Sequence, residues 1–496
     1  MIIAAIIGIA LMAGLGLLGR RQSMDTHSGW SIGDRGMSSI TTFFLQAGAI
    51  FTSFTFLGMS GLTILGGISA TYLPAYLVLG YIGMFLIGPI VWKLGSVFDY
   101  HTNADMVGHQ FKSNFLTKVV AIISVVFFMP IVQVQIVGLG TMVSFATGDK
   151  SVGIWSMIGS TVLILLFVAW AGLRGVSMTA YFKDVAMVVA LVVILIGVIA
   201  HYGSNGGMSS AISEMESLFI IESGTKTYGT VWFITSVIVS GIGLGAMTLP
   251  ESWPAVLAAD SSKAVSKNHV MLPLYSLSTL IPILIGFYAV KNLSIEKGEE
   301  NSAILSIAAE SLPSWLMGFV LIAGISCAIV PAAHCVISIA TLISSNLVSD
   351  SITSDRRLLV GKGASAAILL LSLLLAVSRP DLMANLYLLT YAGLVQLAPA
   401  NILACTKTER VNAKGIMMGM FTGVLIVLAF TITGYTLWGM NSGIVAIVVN
   451  VLVIFVVSAM TGKVERPQLV EAKVRTPIRP ISPGTPGTAV RVPKRF

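Results

Sequence analysis

Apolar stretches long enough to cross about 30 Å of hydrocarbon follow one another along almost the whole chain, separated by short polar connections. Thirteen are read, at 2–19, 38–64, 72–97, 117–147, 153–172, 175–201, 228–249, 269–290, 315–347, 361–378, 382–405, 412–436 and 441–461. Runs of this length satisfy their own backbone in lipid as helices, so the pattern predicts an all-α polytopic membrane protein. The first run has no basic leading segment and no small-x-small cleavage site, and Arg20-Arg21 follows at once. It reads as an uncleaved span rather than a signal peptide.

Two runs carry interruptions of their own. The second, QAGAIFTSFTFLGMSGLTILGG, spreads Gly48, Gly58, Gly61, Gly66 and Gly67 around a polar centre of Thr52, Ser53 and Thr55. The seventh, VSGIGLGAMTLPESWP, sets Gly241, Gly243 and Gly245 ahead of Pro250, Glu251 and Pro254. Such residues either unwind a membrane helix, freeing backbone groups to line a cavity, or simply allow helices to pack closely. The two runs lie five spans apart, and each is followed by four more. That spacing suits an inverted repeat of spans 2–6 and 7–11. The chain then divides into 1–37 (first span and connection), 38–201 and 202–405 (the two repeats), 406–461 (two further spans) and 462–496 (a tail).

Composition narrows the class. With 55% hydrophobic and 10% charged residues, the chain cannot cover a soluble surface of this size. Its net charge of +8 is not a nucleic-acid signature, because residues 463–496 alone hold eight basic against two acidic side chains in a Pro- and Thr-rich sequence. That tail reads as a disordered cytoplasmic segment drawn to anionic headgroups. Among the connections, one set carries sixteen basic residues and the other five. The positive-inside rule then places the N-terminus outside and the C-terminus in the cytoplasm of an inner membrane. Cys327, Cys335 and Cys405 have neither disulfide nor zinc spacing. HExxH, GxSxG and P-loop motifs are absent, and the longest connections, 202–227 and 291–314, are too short for a catalytic domain. The expectation is a secondary transporter, not an enzyme, with a small-molecule solute and the lipid bilayer as its partners. An uncoupled facilitator is the alternative. A membrane sensor is a remote one, since the tail has no kinase-like module.

Several polar side chains sit inside apolar runs. Thr52, Ser53 and Thr55 are the substrate-binding candidates, because hydroxyls, freed amides and a half-helix N-terminus suit a carboxylate. No arginine lies mid-span to pair with an anion. Gln133 and Gln135 in the fourth span and Gln396 in the eleventh can hydrogen-bond a solute or bridge helices. His334 lies mid-span, one turn past Pro331. It reads either as a proton-exchanging group facing a cavity or as a neutral imidazole bonded to a neighbouring helix. Lys183 and Asp184 read as interfacial residues near the inner end of the sixth span, Lys183 snorkelling to the headgroups; in a second reading Asp184 helps to release a cation. Glu251 reads as a gate, an ion-pair residue or a solvated loop carboxylate.

Four stretches in order, FTFLGMSG (54–61), AGLRGVSMT (171–179), LPESWPAVLAADSSKAVSKN (249–268) and NAKGIMMGMFTG (412–423), resemble the sodium:solute symporter family, and the likeness runs from about Gly33 to Phe455. It implies the leucine-transporter fold, a five-plus-five inverted repeat with broken second and seventh helices, and cation-driven solute uptake. FTSFTFLGMSG (51–61), YFKD (181–184) and VPAAHCVISIATLISSNL (330–347) are most similar to the bacterial monocarboxylate permeases of that family, carriers of pyruvate, lactate and similar acids. Gln396 falls close to where family members place a substrate-binding side chain. In sodium-driven members an ion lies between the second and ninth helices on backbone carbonyls and two adjacent hydroxyls. Here the resemblance assigns the carbonyls to Gly48, Phe51 and Ala328, while Pro331 and Ala332 stand at the hydroxyl positions. Three oxygens are few for a hard cation. The family's frequent acidic residue after a Trp-Thr pair is also missing, the run being Met178-Thr179-Ala180 with Asp184 four residues on, along the same helical face. No cofactor is implied; the coupling ion is sodium or a proton, with Asp184 and His334 as ion-coupling candidates.

Overall fold

The computed structural model describes residues 2–18, 25–203, 216–224, 227–349, 351–378, 383–406 and 408–462. Arg20, Arg21 and the basic tail from 463 lie outside them. Among the described residues the chain is helical throughout, and nine helices are long and apolar enough to cross a membrane. Side chains such as Trp155, Leu166, Ile196 and Leu452 stand more than half exposed on their outer faces, as a lipid solvent allows.

The chain starts with α1 (Ile2–Leu18), the short α2 (His27–Ile32) and α3 (Ser39–Ile50), whose N-terminus Ser38 caps. Helix α3 stops at Phe51, where the backbone is extended (φ −86°, ψ 96°). The chain re-enters helix through a wide π-type turn at Phe54–Gly58 and continues as α4 (Met59–Gly66). A 3-10 segment joins it to α5 (Tyr72–Phe98). The second and third expected spans meet at Gly67, where the backbone leaves the helical region (φ 53°, ψ −132°). After α6 (Asn103–Gln110), started by a Thr102–Asp105 capping box, comes α7 (Asn114–Thr147), ended by Gly148 in the left-handed region.

The stretch α8 (Lys150–Tyr202) contains the fifth and sixth expected spans as two helices that meet at a kink at Gly172, whose backbone is not helical (φ 54°, ψ −162°). The kink explains the AGLRG sequence. A Cβ at Gly172 would face left-handed strain and lie 3.1 Å from the Trp30 ring. Trp30 Nε1 donates to the Val168 carbonyl (2.9 Å), the acceptor that a straight helix would give to Gly172 N–H. Arg174 completes the corner by donating to the Gly33 carbonyl.

The second half repeats the theme. Helix α9 (Thr230–Gly245) ends at a non-helical stretch in which Met247 has φ 54°. Next come the short α10 (Ser252–Leu257), α11 (Ser262–Ser276), α12 (Leu280–Asn292) and α13 (Ala303–Ser311). They are followed by α14 (Ser314–Leu342), α15 (Ser354–Ser378), α16 (Met383–Leu394), α17 (Ala398–Ala404) and the packed pair α18 (Ala413–Thr433) and α19 (Ser442–Thr461). In α14 with its terminal turn, 83% of the most apolar stretch is buried, against 33% in α8 and 28% in α19. Helix α14 is thus the axis of the bundle. Its small residues (Ala323, Gly324, Ala328, Ala332 and Ala333) are all buried and let α3, α7 and α8 pack against it.

Candidate substrate and cation sites

Where a helix stops inside an apolar bundle, its orphaned carbonyls and amides need partners. At the first interruption Ser53 supplies both its amide N–H (3.2 Å) and its hydroxyl (2.8 Å) to Gln135 Oε1 on α7. Close approach is possible because residue 138 is glycine: a Cβ there would stand 2.5 Å from Ser53 Cβ. Thr52 Oγ1 hydrogen-bonds Tyr387 Oη at 2.6 Å and accepts from Phe54 N–H. The Thr52 N–H points to Thr55 Oγ1 (3.4 Å). The rings of Tyr387 and Phe54 stack at 4.4 Å. This buried cluster of neutral donors and acceptors draws on α3–α4, α7 and α16.

At the second interruption Asn401 on α17 donates through Nδ2 to the carbonyls of Ala246 and Met247, each at 3.0 Å. Trp253 Nε1 donates to the Met247 carbonyl (2.8 Å), and the Thr248 hydroxyl to Gly243 (2.9 Å). Glu251, just before α10, is buried, so it is not a solvated loop carboxylate; its Oε2 has no hydrogen-bond partner. No base stands within ion-pair distance of it among the described residues.

A third polar centre joins α3 to α8. Lys183 and Asp184 are fully buried, which corrects their expected place at the headgroups. Lys183 lies about 16 Å past the Gly172 kink at 1.5 Å per residue, beneath α3 and α14. Its Nζ donates to the Phe51 carbonyl at 2.6 Å and lies 2.5 Å from Asp184 Oδ1. That second contact is a buried ion pair between neighbouring residues of one helix. Asp184 Oδ2 lies 3.7 Å from the point where a Cβ on Gly48 would stand. Tyr275 packs edge-on against Phe51 (4.4 Å), and its hydroxyl reaches the Asp184 carbonyl (3.4 Å).

The chain as a whole has relatives among known proteins. The family model described as "Sodium:solute symporter family" matches residues 30–423. The chain belongs to the sodium:solute symporter family. An uncharacterized symporter of Bacillus subtilis, YhjB, is 28% identical over 457 residues, 88% of this chain and 91% of the relative. A monocarboxylate transport permease protein of Rhizobium johnstonii is 27% identical over 403 residues, 79% and 80% of the two chains. Among solved structures, a Na+-coupled sialic acid symporter superposes with a TM-score of 0.75 at 16% identity, over 94% of this chain and 98% of that one. MhsT in complex with L-phenylalanine gives 0.52 at 14% identity, over 86% and 99%. Both are likenesses of fold. The family and these neighbours are transporters rather than enzymes, and the chain is a multi-pass membrane protein.

Within this symporter the sequence-derived candidates separate. Thr52, Ser53 and Thr55 come together with Gln135 and Tyr387. Gln133 instead donates to the Leu375 carbonyl on α15 (3.3 Å). Gln396 bridges helices: it donates to the carbonyls of Ala392 and Gly443 and accepts from Asn450 on α19. His334 is fully buried, and neither ring nitrogen makes a well-aligned hydrogen bond among the described residues. The residues present do not fit a sodium ion at the α3–α14 junction. Pro331 and Ala332 bring no side-chain oxygen, and the Phe51 carbonyl already accepts from an ammonium group. Sequence reasoning missed Tyr387 and Asn401, which bear on the interruptions only through the fold. A cavity of about 220 Å³ opens beside Met37, Thr41 and Arg174, roughly 15 Å along α3 from Thr52, at the mouth of the bundle rather than at the interruptions.

Proposed function

We propose that this family member is a secondary active transporter that imports a small organic solute, with a monocarboxylate as the best-supported class, driven by a cation gradient. It works in the inner membrane as a five-plus-five inverted repeat interrupted in its second and seventh spans, N-terminus outside and C-terminus cytoplasmic. The observation that carries this reading is the Thr52–Tyr387 and Ser53–Gln135 cluster at the α3–α4 interruption. It gathers hydroxyls and an amide where backbone groups are free of regular helix. Neutral donors of this kind bind a carboxylate by hydrogen bonds and dipoles, as a site without an arginine requires. The permease of Rhizobium johnstonii supports the substrate class by its name alone.

The test is uptake of labelled pyruvate, lactate, acetate, alanine and proline into proteoliposomes, with an inward sodium gradient, an inward proton gradient, or neither. Accumulation of an acid above the external concentration under a cation gradient is the expected result. Uptake confined to alanine or proline overturns the substrate class. Equilibration without accumulation favours the second reading, an uncoupled facilitator, which the poor fit for sodium recommends.

A further inference from the structure

We propose that the Lys183 ammonium is the resident cation of the α3–α8–α14 junction: it holds by a covalent tether the position at which a sodium-driven transporter takes up its ion, so that this position binds no sodium. The inference builds on the reading of the chain as a transporter but concerns the ion, whatever the solute.

The argument starts from the end of α3. A helix C-terminus carries partial negative charge on its last carbonyls, and at the centre of a bundle no water answers it. The Phe51 carbonyl is such a group, and the side chain supplied to it is a cation. A lysine is a costly choice for a fully buried position, whereas a serine or asparagine satisfies a carbonyl at less expense. What makes it tolerable is Asp184, whose carboxylate brings the local charge to zero. Lys183 is the one basic side chain in contact with the Asp184 carboxylate among the described residues, at 2.5 Å, with the Tyr275 hydroxyl close by.

The surroundings match a cation pocket that has lost its mobile ion. The residues that the family resemblance marks for the ion are Gly48, Phe51 and Ala328. Phe51 accepts from the ammonium, and Gly48 lies against the Asp184 carboxylate. Pro331 and Ala332 bring none of the oxygens that a sodium ion needs, which a tethered ammonium does not require. The losses on α14 and the gain on α8 are two sides of one exchange.

The inference makes an unusual demand of a single substitution. Shortening residue 183 removes the cation but leaves Asp184, the Phe51 carbonyl and the volume of a lysine side chain. Oxygen donors around a net negative charge are what a hard cation seeks. Lys183→Ala is therefore expected to acquire a sodium response that the natural protein lacks. Lys183→Ala/Pro331→Ser/Ala332→Ser, which restores two hydroxyls, is expected to respond at lower sodium.

The experiment uses the full chain, purified in detergent. Its thermal unfolding midpoint is read in sodium chloride and in potassium chloride of equal ionic strength, because a bound ion stabilises the folded state by mass action. The wild type is expected to show no sodium-specific shift, Lys183→Ala a saturable one, and Lys183→Ala/Asp184→Asn none. In proteoliposomes, wild-type uptake driven by protons is expected to be unchanged when sodium is replaced by choline. A sodium-specific shift in the wild type that Asp184→Asn abolishes overturns the proposal. So does a monodisperse Lys183→Ala protein with no sodium response. Should Lys183→Ala fail to fold, the wild-type and Asp184→Asn measurements still decide. The midpoints need no substrate, so failure to find a transported acid leaves this test intact and counts only against the proposed function.

Discussion

The two interrupted helices meet one physical problem with different chemistry. Helix α3 leaves the Phe51 carbonyl inside the bundle, and an ammonium answers it, balanced by a carboxylate on the next residue. Helix α9 leaves the carbonyls of Ala246 and Met247, and the neutral amide of Asn401 answers both. A neutral amide satisfies hydrogen bonds without adding charge to the interior, which suits a fixed corner. The ion pair must hold two charges together in a low-dielectric site, so each depends on the other. The comparison assigns the neutral Asn401 contacts at the α9 corner to structure and the α3 corner to the handling of a cation, while the buried Glu251 beside α10 stands apart as the gate candidate.

The largest expected effect breaks the charged corner. Lys183→Met fills much of the lysine volume but leaves Asp184 unpaired, and removing one partner of a buried pair costs about 3–5 kcal/mol. The unfolding midpoint should fall sharply, and sodium should restore little, because methionine occupies the space that alanine would open. Lys183→Met/Asp184→Asn should recover much of the loss, and the coupling energy of the double-mutant cycle measures the pair directly. Uptake should fail in the single variant. A midpoint within a degree of wild type for Lys183→Met would show that the pair is not the buried, interdependent unit described.

The neutral corner should break more gently. Asn401→Leu orphans the Ala246 carbonyl, while Met247 keeps Trp253 Nε1. One buried unsatisfied carbonyl costs about 1–3 kcal/mol. The loss should appear in the midpoint alike in sodium and potassium salts. A sodium-specific difference would move the ion to the α9 corner and reverse the comparison.

The contrast also marks what the sequence could convey. Apolar run length conveys an all-helical membrane chain, because a bilayer sets the length of its spans. AGLRG is less legible: positive φ at Gly172 reads as an ordinary helical glycine until Trp30 is found capping Val168. Lys183 was the main misreading. A lysine eight residues inside an apolar run looks like a snorkelling side chain, and only the packing of α3 and α14 over α8 shows that it cannot reach water. Tyr387 and Asn401 lie 335 and about 155 positions from their partners, a separation that no local pattern encodes. Gln133 and Gln396 illustrate the reverse: an amide in an apolar run announces a hydrogen bond but not its recipient.

At the first interruption, Tyr387→Phe keeps the ring stacked on Phe54 and removes only the hydroxyl bonded to Thr52. If that hydroxyl serves the solute, losing a hydrogen bond worth about 0.5–1.5 kcal/mol raises KM for uptake roughly threefold to tenfold. Stability should change little, since Thr52 Oγ1 still accepts from Phe54 N–H. An unchanged KM would confine the cluster to a structural part, like that of Asn401.

Gln396→Leu supplies the smallest effect on transport. Gln396 holds the turn after α16 against α19 through Gly443 and Asn450, with Gly423 of α18 pressed close to its amide. Leucine fills a similar volume and leaves Asn450 bonded to the backbone carbonyl of residue 396, but it takes the donor from the Gly443 carbonyl, so a loss of about 1 kcal/mol of stability is expected, with KM for the solute unchanged. The informative quantity is the ratio between the two variants. Tyr387→Phe should move KM and spare the midpoint, and Gln396→Leu should do the opposite. If both move KM, the solute's path extends from the α3–α4 interruption to the α18–α19 pair, and the division between a working centre and a supporting frame has to be redrawn around Gln396.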